Sequence, residues 1–229
     1  MRIKTVVFDF DDTLVKSEAI KRRAFVEIFD DVRESREAKS WIKNVAENFL
    51  TGNPGKSRQE TIHTVLELLC EDGLIPRPVT IEMIMAYVQK FSEYVERGIL
   101  NSEISESSET LKQLSQKFNL YLNSATPIEN LESVVKKLGW RKFFKDVYGV
   151  PPGTKLQNLK DILRKENALP GEVIVVGDGE SDRQSAEECF CHFIAIQGEF
   201  NHFDKKPKII LESVSELYEN IKKISKGRF

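Results

Sequence analysis

Residues 6–14 read VVFDFDDTL, a short apolar run that ends in three acidic residues. The first three letters, VVF, predict a buried β-strand. Asp9, Asp11 and Asp12 follow this strand at once. Burying a charge is costly unless the charge is paired or holds a metal. The acids therefore either lie in water at the end of the strand or converge on a cation.

The composition is that of an ordinary globular protein. The chain has 229 residues, of which 40% are hydrophobic and 31% are charged, a length that suits one core or one core plus a smaller domain. The 34 basic and 36 acidic residues give a net charge of −2, which provides no electrostatic reason to expect nucleic acid or a membrane as the main partner. No apolar run approaches the roughly 20 residues of a membrane-spanning helix. With no signal peptide and three cysteines that form no disulfide framework, we expect a cytoplasmic protein.

Helical periodicity extends over about residues 17–99. Four amphipathic helices are predicted there, with apolar residues at Ala24, Phe25, Ile28 and Phe29; at Trp41, Ile42, Val45 and Phe49; at Ile62, Val65, Leu66 and Leu69; and at Ile81, Ile84, Val88, Phe91 and Val95. Ser57 and Glu60 form a predicted capping box at the start of the third helix. Thr80 can cap the fourth, and Gly98 is predicted to follow its end. Such a block indicates a small helical bundle.

Strands and helices alternate after about residue 100. Strands are predicted at 120–124, 146–149, 172–177, 193–196 and near Ile209, with helices between them. This alternation is typical of a parallel sheet covered on both faces. We therefore predict an α/β fold. Its Rossmann-like, doubly wound parallel sheet belongs to a core of residues 1–16 and 100–229, into which an all-α, four-helix cap domain of residues 17–99 is inserted.

Polar clusters follow three of the predicted strands, at residues 9–13, 124–126 and 177–182. Lys155 follows the strand at 146–149. Open parallel sheets bind ligands at the carboxyl ends of their strands, so we expect these segments to meet in one crevice. A single Asp at a strand end is usually a turn residue or a helix cap. Taken together, however, the clusters fit one mechanism.

The stretches DFDDT and GDGESD, with Ser124 and Lys155 between them, resemble the four motifs of the haloacid dehalogenase superfamily. The resemblance spans nearly the whole chain and is closest to the phosphoglycolate phosphatase-like subgroup, and the helical insertion resembles the superfamily's cap. It implies a Mg²⁺-dependent phosphatase that hydrolyses a small phosphorylated metabolite. An acid at position 11 favours phosphate esters, because the family's dehalogenases and phosphonate-cleaving members lack an acid there.

The resemblance also implies a role for each acid. Asp9 would be the nucleophile that forms an aspartyl-phosphate, and Asp11 the general acid and base. The Asp9 side chain, the Asp11 carbonyl and Asp178 would bind Mg²⁺, and Asp182 would orient the groups around the metal.

Ser124 and Lys155 would hold phosphoryl oxygens. Lys155 precedes Leu156 rather than the Pro found in relatives, so Lys160 is an alternative for this role. Position 12 carries Asp where Gly is commoner, a variation that the first motif accommodates. Ala125 stands where relatives often carry Asn and is a candidate for substrate binding.

The loop before the third predicted helix carries two further candidates for substrate binding, Lys56 and Arg58. The alternative is a solvated turn followed by a helix cap. Two other functions remain open beside the phosphatase: a phosphomutase resembling beta-phosphoglucomutase, and a regulatory member without turnover. The first shares the same motifs and cap, whereas the second is disfavoured because every motif acid and a candidate lysine are present.

Overall fold

The structure is a computed structural model of the chain that describes residues 2–32, 40–44, 57–102, 104–151, 153–198 and 202–227. The chain divides into two compact units. The first comprises Met1–Lys16 and Leu100–Phe229, and the second comprises Ser17–Ile99. The described strands belong to the first unit, whereas the second is helical.

Six strands form one parallel sheet in the described part of the first unit. In chain order they are β1 (Thr5–Phe8), β2 (Asn119–Pro127), β3 (Phe144–Val150), β4 (Val173–Gly177), β5 (His192–Ile196) and β6 (Ile210–Leu211). Their order across the sheet is β3-β2-β1-β4-β5-β6, and every neighbouring pair is parallel. The predicted doubly wound parallel sheet is confirmed, with β2 and β3 longer than the sequence indicated.

The direction of winding reverses between β1 and β4. From β1 the chain moves outward to β2 and β3, then returns to the other side of β1 and continues through β4, β5 and β6. All four residues of β1 are buried, and they pair with β2 on one side and β4 on the other. Ligands of open α/β sheets bind at the carboxyl ends of the strands beside such a reversal. Asp9 and Asp178 directly follow these two strands.

Eight α-helices have both ends within the described residues; the first three lie in the second unit, except for the last residue of the third, and the other five lie in the first unit. They are α1 (Glu18–Glu27), α2 (Arg58–Glu71), α3 (Ile81–Leu100), α4 (Ser105–Ser115), α5 (Ile128–Lys137), α6 (Lys155–Lys165), α7 (Glu180–Glu188) and α8 (Leu217–Ser225). Throughout the described ranges, none of the helices combines the length and apolar character that a membrane span requires.

Helix α6 is fixed on the sheet by an apolar stripe. Leu159 and Ile162 are fully buried and belong to one cluster with Val7 of β1, Val175 of β4 and Ala186 of α7. Replacing a residue such as Ile162 by Ala typically costs about 2–5 kcal/mol. Because α6 follows β3 along the chain, its first turn lies at the carboxyl end of that strand. This packing fixes the position from which the side chain of Lys155 extends.

The second unit confirms two predicted helix caps and corrects one predicted helix end. Ser57 and Glu60 form the capping box of α2, and Thr80 Oγ1 accepts a hydrogen bond from the Met83 N–H at the start of α3. Gly98, however, lies inside α3 rather than after it. A Cβ at this position would approach Ile20 Cγ2 to 2.6 Å, so glycine is required by the close contact between α1 and α3.

The predicted helix around Trp41 is described only in part. Residues 40–44 are helical and Ile42 is fully buried, whereas Val45 and Phe49 lie outside the described residues. The four-helix count of the inserted unit therefore stays a prediction. Ile81, placed by the sequence on the apolar face of α3, is 56% exposed because it is the first residue of the helix and lies beyond the packed face.

Candidate active site

Asp9 and Asp11 lie at the carboxyl end of β1, on either side of a buried aromatic residue. Phe10 is 1% exposed, and its ring meets the Trp140 ring edge-on, with the centroids 6.4 Å apart. The Asp9 N–H donates to the Val176 carbonyl of β4 at 2.8 Å, which continues the ladder beyond the strand. Side chains alternate along an extended chain, so burial of Phe10 directs Asp9 and Asp11 away from the core.

Lys155 joins two of the predicted acids. It is the first residue of α6, and a capping box fixes the start of this helix. Its Nζ lies 2.8 Å from Asp9 Oδ1 and 2.9 Å from each carboxylate oxygen of Asp182. The ammonium therefore contacts three carboxylate oxygens of two residues. Lys160, the alternative from the sequence, is exposed on the same helix.

Asp178 and Asp182 lie on the turn from β4 into α7. A Cβ at Gly177 would overlap the carboxylate carbon of Asp182, so glycine is required for this carboxylate to fold back against the strand end. Asp178 Oδ1 accepts a hydrogen bond from Thr13 Oγ1 at 3.3 Å. One oxygen from each of Asp9, Asp178 and Asp182 lies within 4.8 Å of the others. The first and last motifs therefore meet at the edge of the sheet, where the sequence predicted them.

The pKa values in this cluster reflect burial first and the closely spaced negative charges second. Burial, and then the charges of Asp9 and Asp182, raise the pKa of Asp178 to about 8. Burial also raises the pKa of Asp182, although the Lys155 ammonium opposes that rise. Burial acts to lower the pKa of Lys155, but the carboxylates of Asp182 and Asp9 outweigh it and raise this pKa. The ammonium is therefore held charged, and a further positive charge would be stabilised beside Asp178.

The end of β2 departs from regular pairing at the residues that the sequence singled out. Residues 124–126 of β2 oppose the single Gly149 of β3. Ser124 is 1% exposed, and its Oγ accepts the Thr126 N–H at 3.1 Å. Thr126 Oγ1 donates to Asp11 Oδ2 at 2.6 Å. The second motif is thereby connected to the first.

Two buried amides beside these residues were not predicted from the sequence. Asn123 Nδ2 donates to the Lys155 carbonyl at 2.8 Å, and Asn158 Nδ2 donates to Asn123 Oδ1 at 3.0 Å. Both side chains are buried. A signal was present, because Asn158 lies on the apolar stripe of α6 next to Leu159, and a buried amide needs hydrogen-bond partners. Thr126 lies in the predicted polar cluster at residues 124–126, but no role was predicted for it.

Three residues were predicted to contact the substrate: Lys56, Arg58 and Ala125. The Arg58 guanidinium donates to Ser92 Oγ at 2.7 Å and lies over the Phe91 ring, 4.7 Å from its centroid. These contacts give Arg58 a structural role within the second unit. Ala125 is exposed at the end of β2, and Lys56 lies outside the described residues. A role for the three residues in substrate binding stays a prediction.

The donor set of the cluster fits a hard divalent cation. The acids offer only oxygen ligands, which Mg²⁺ prefers. Lys155 already contacts Asp9 Oδ1 and both oxygens of Asp182. Asp9 Oδ2 and the Asp178 carboxylate are therefore the better candidate ligands, and a cation there would offset the negative charge that raises the Asp178 pKa.

A family model described as a haloacid dehalogenase-like hydrolase matches residues 3–189. The chain belongs to this family. The resemblance inferred from the four motifs is confirmed, and the protein is an enzyme of the hydrolase class. No match was found among curated protein sequences.

Solved structures with the fold of this haloacid dehalogenase-like hydrolase cover almost the whole chain. YfnB from Bacillus subtilis, bound to magnesium, is 18% identical over 96% of this chain and 99% of its own, with a TM-score of 0.72. A predicted phosphoglycolate phosphatase from Haemophilus somnus is 18% identical over 96% and 98%, with a TM-score of 0.71. CbbY from Rhodobacter sphaeroides, in complex with phosphate, is 20% identical over 94% and 96%, with a TM-score of 0.66. At these identities the likeness establishes the fold.

Proposed function

We propose that this haloacid dehalogenase-like hydrolase is a Mg²⁺-dependent phosphatase that cleaves phosphate monoesters of small metabolites through an aspartyl-phosphate on Asp9. The observation that supports this most strongly is the contact of Lys155 Nζ with Asp9 Oδ1, beside the carboxylate of Asp178. A carboxylate and a phosphate ester repel each other. Attack therefore needs positive charge held beside the nucleophile.

Asp9 and Asp11 divide the reaction into two displacements. An Asp9 oxygen forms a bond to phosphorus while the bond from phosphorus to the ester oxygen breaks, and Asp11 gives a proton to the departing oxygen. Water then attacks the same phosphorus and gives a proton to Asp11. The bond from phosphorus to the Asp9 oxygen breaks, which releases inorganic phosphate and restores both carboxyl groups.

Lys155 and Ser124 are proposed to hold the phosphoryl oxygens as negative charge spreads over them. The Ser124 hydroxyl oxygen accepts the Thr126 N–H, so the proton of this hydroxyl can be donated to a phosphoryl oxygen. Asp182 is proposed to keep the Lys155 ammonium in place through its two contacts. This is a positioning role rather than that of a metal ligand.

Mg²⁺ would be held by the side chains of Asp9 and Asp178 and by the main-chain carbonyl of Asp11. When bound, the ion supplies positive charge that reduces the repulsion between nucleophile and substrate. The magnesium bound by YfnB and the phosphate bound by CbbY support the same choice of ion and of substrate class. The raised pKa of Asp178 supports it independently, since it marks a place where positive charge is favoured.

Residues 1–16 and 100–229 are the proposed catalytic core, and residues 17–99 the proposed cap domain that selects the substrate. The place of the helical insertion, directly after the strand that carries Asp9, supports this division. Lys56, Arg58 and Ala125 remain the proposed contacts to the part of the substrate beyond the phosphate.

Release of inorganic phosphate from a panel of phosphorylated metabolites tests the proposal. We expect release from some of these esters with Mg²⁺ and none in excess chelator. A panel without any hydrolysed ester, or full release in chelator, would contradict it. A hexose 1-phosphate in the panel separates the phosphatase from the phosphomutase alternative, because a mutase would form the isomeric phosphate faster than it releases inorganic phosphate.

A further inference from the structure

The hydrogen bond between Thr126 and Asp11 joins two segments that are 115 residues apart in the chain. Thr126 Oγ1 donates to Asp11 Oδ2 at 2.6 Å, a short distance typical of a hydroxyl bound to a charged carboxylate. Asp11 is only half-buried, so the orientation of its carboxylate depends on polar contacts as well as on packing. The hydrogen bond from Thr126 is one such contact, and it limits the rotation of the carboxylate.

The position of Thr126 is itself fixed by its surroundings. Its N–H donates to Ser124 Oγ at 3.1 Å. Its carbonyl oxygen lies so close to Gly149 of β3 that a Cβ there would approach it to 2.7 Å. Pro127 follows, and a residue before proline is held in an extended conformation. The Thr126 hydroxyl is therefore presented from a rigid main chain at the end of β2.

A hydroxyl can serve both protonation states of Asp11 from a single atom. It donates to the oxygen of an ionised carboxylate and can turn its proton away to accept from a carboxylic acid. An ammonium or a main-chain N–H can only donate and would favour the ionised form. Asp11 is proposed to act as an acid in the first displacement and as a base in the second. A hydroxyl, which can both donate and accept, suits these two states.

We propose that Thr126 positions Asp11 for both proton transfers of the reaction. This inference rests on the proposed function. Thr126 touches neither the nucleophile nor the phosphoryl group in this account, so it acts through Asp11. Gly149 contributes by leaving the space that the main chain of Thr126 occupies.

The test compares wild type with Thr126→Val and Thr126→Ser on phosphate monoesters whose leaving groups differ in pKa, from p-nitrophenyl phosphate to an alkyl phosphate. The ratio kcat/KM reports the first displacement, in which only a poor leaving group needs the proton of Asp11. We expect Thr126→Val to lower kcat/KM for the alkyl ester on the order of ten- to a hundredfold, part of the roughly 10²–10⁴ that general acid catalysis contributes. The p-nitrophenyl ester should be nearly unaffected, and Thr126→Ser should restore the wild-type pattern.

Thr64→Val is the matched control, because the Thr64 hydroxyl donates to the Glu60 carbonyl within α2 of the second unit. It should leave the dependence on the leaving group unchanged. An equal loss for every ester in Thr126→Val, or no loss, would overturn the role of Thr126 while the wild-type activity upheld the proposed function. A wild-type protein that hydrolyses none of the esters would overturn the proposed function and this inference with it.

Discussion

Both carboxylate oxygens of Asp182 lie 2.9 Å from Lys155 Nζ, and Asp9 Oδ1 lies 2.8 Å from the same nitrogen. The side chains of Asp9 and Asp182 are 5% and 3% exposed. The ammonium of Lys155 therefore compensates two carboxylates that have little contact with water. Removing one partner from such a group leaves a buried charge without compensation.

Lys155→Met should consequently destabilise the protein as well as inactivate it. We expect a loss of roughly 3–5 kcal/mol in the free energy of unfolding near neutral pH, as for other broken buried ion pairs. The loss should shrink at lower pH, because burial raises the pKa of Asp182, which can then take up a proton. Urea unfolding at two pH values measures both effects, with the exposed Lys160→Met as control. Equal stability of the two variants would contradict the account.

Because the pKa of Asp178 is raised, we expect the stability of the metal-free protein to depend on pH. Its pKa is raised to about 8 in the folded state, against 3.8 as its ordinary value. Between these two pH values the folded state holds a proton on Asp178 that the unfolded state has released. The stabilisation that comes from this proton is therefore fully present below about pH 4 and is lost as the pH rises towards 8.

Asp178→Asn removes this titration. Thermal unfolding in chelator should therefore show a smaller decline between pH 4 and 8 for the variant than for wild type, and the variant should be the more stable of the two at pH 8. Asp72→Asn, at an exposed position after α2, is the control and should follow wild type. Parallel curves for wild type and Asp178→Asn would show that Asp178 does not titrate in this range.

Mg²⁺ should stabilise the wild-type protein against heat but not the Asp178→Asn variant. A ligand that binds only the folded state adds about 2.7 kcal/mol at a hundred times its Kd. Because binding at Asp178 displaces a proton below about pH 8, the rise in Tm at a fixed Mg²⁺ concentration should grow as the pH increases towards that value. The same rise in the variant, or none in wild type, would argue against a cation at this carboxylate.

Asn158 should matter for activity beyond its effect on stability. Asn158→Ala leaves the buried Asn123 Oδ1 without this donor, which costs about 1–3 kcal/mol. It should also lower kcat, because Asn123 no longer holds the main chain at Lys155 in place. Asn220→Ala is the control, since its amide donates to the Glu216 carbonyl beside α8, away from the site. Asn220→Ala should lose stability and keep kcat, and an equal loss of kcat in both variants would assign Asn158 a purely structural role.

The sheet could be predicted from the sequence because its strands are short apolar runs followed directly by polar clusters. For this reason the prediction that Asp9 and Asp178 follow strand ends and meet at one edge of the sheet was correct; that the two strands are neighbours was not predicted. The sequence favoured Lys155 and left Lys160 as the alternative, because both follow the same strand on the same helix. Their places on α6 differ in a way that the sequence pattern did not show: Lys155 is its first residue, and Lys160 lies more than one turn further along.

Contacts between distant segments account for what the sequence did not predict. Gly98 was predicted to follow a helix end, but it lies inside α3, where its lack of a side chain allows Ile20 to pack closely. The bond from Thr126 to Asp11 depends on the irregular pairing of β2 opposite Gly149, which no local pattern indicates. Local propensity describes elements, whereas these features arise from the way the elements pack.

Chemical trapping of the phosphoenzyme is the sharpest test of Asp9 as the nucleophile. Protein turning over a phosphate ester with Mg²⁺ is quenched in acid, digested, and searched by mass spectrometry for a phosphorylated peptide. We expect phosphate on Asp9, and none in chelator or in Asp9→Asn. Phosphate on another residue, or release of phosphate at the wild-type rate by Asp9→Asn protein whose mass excludes deamidation, would contradict it.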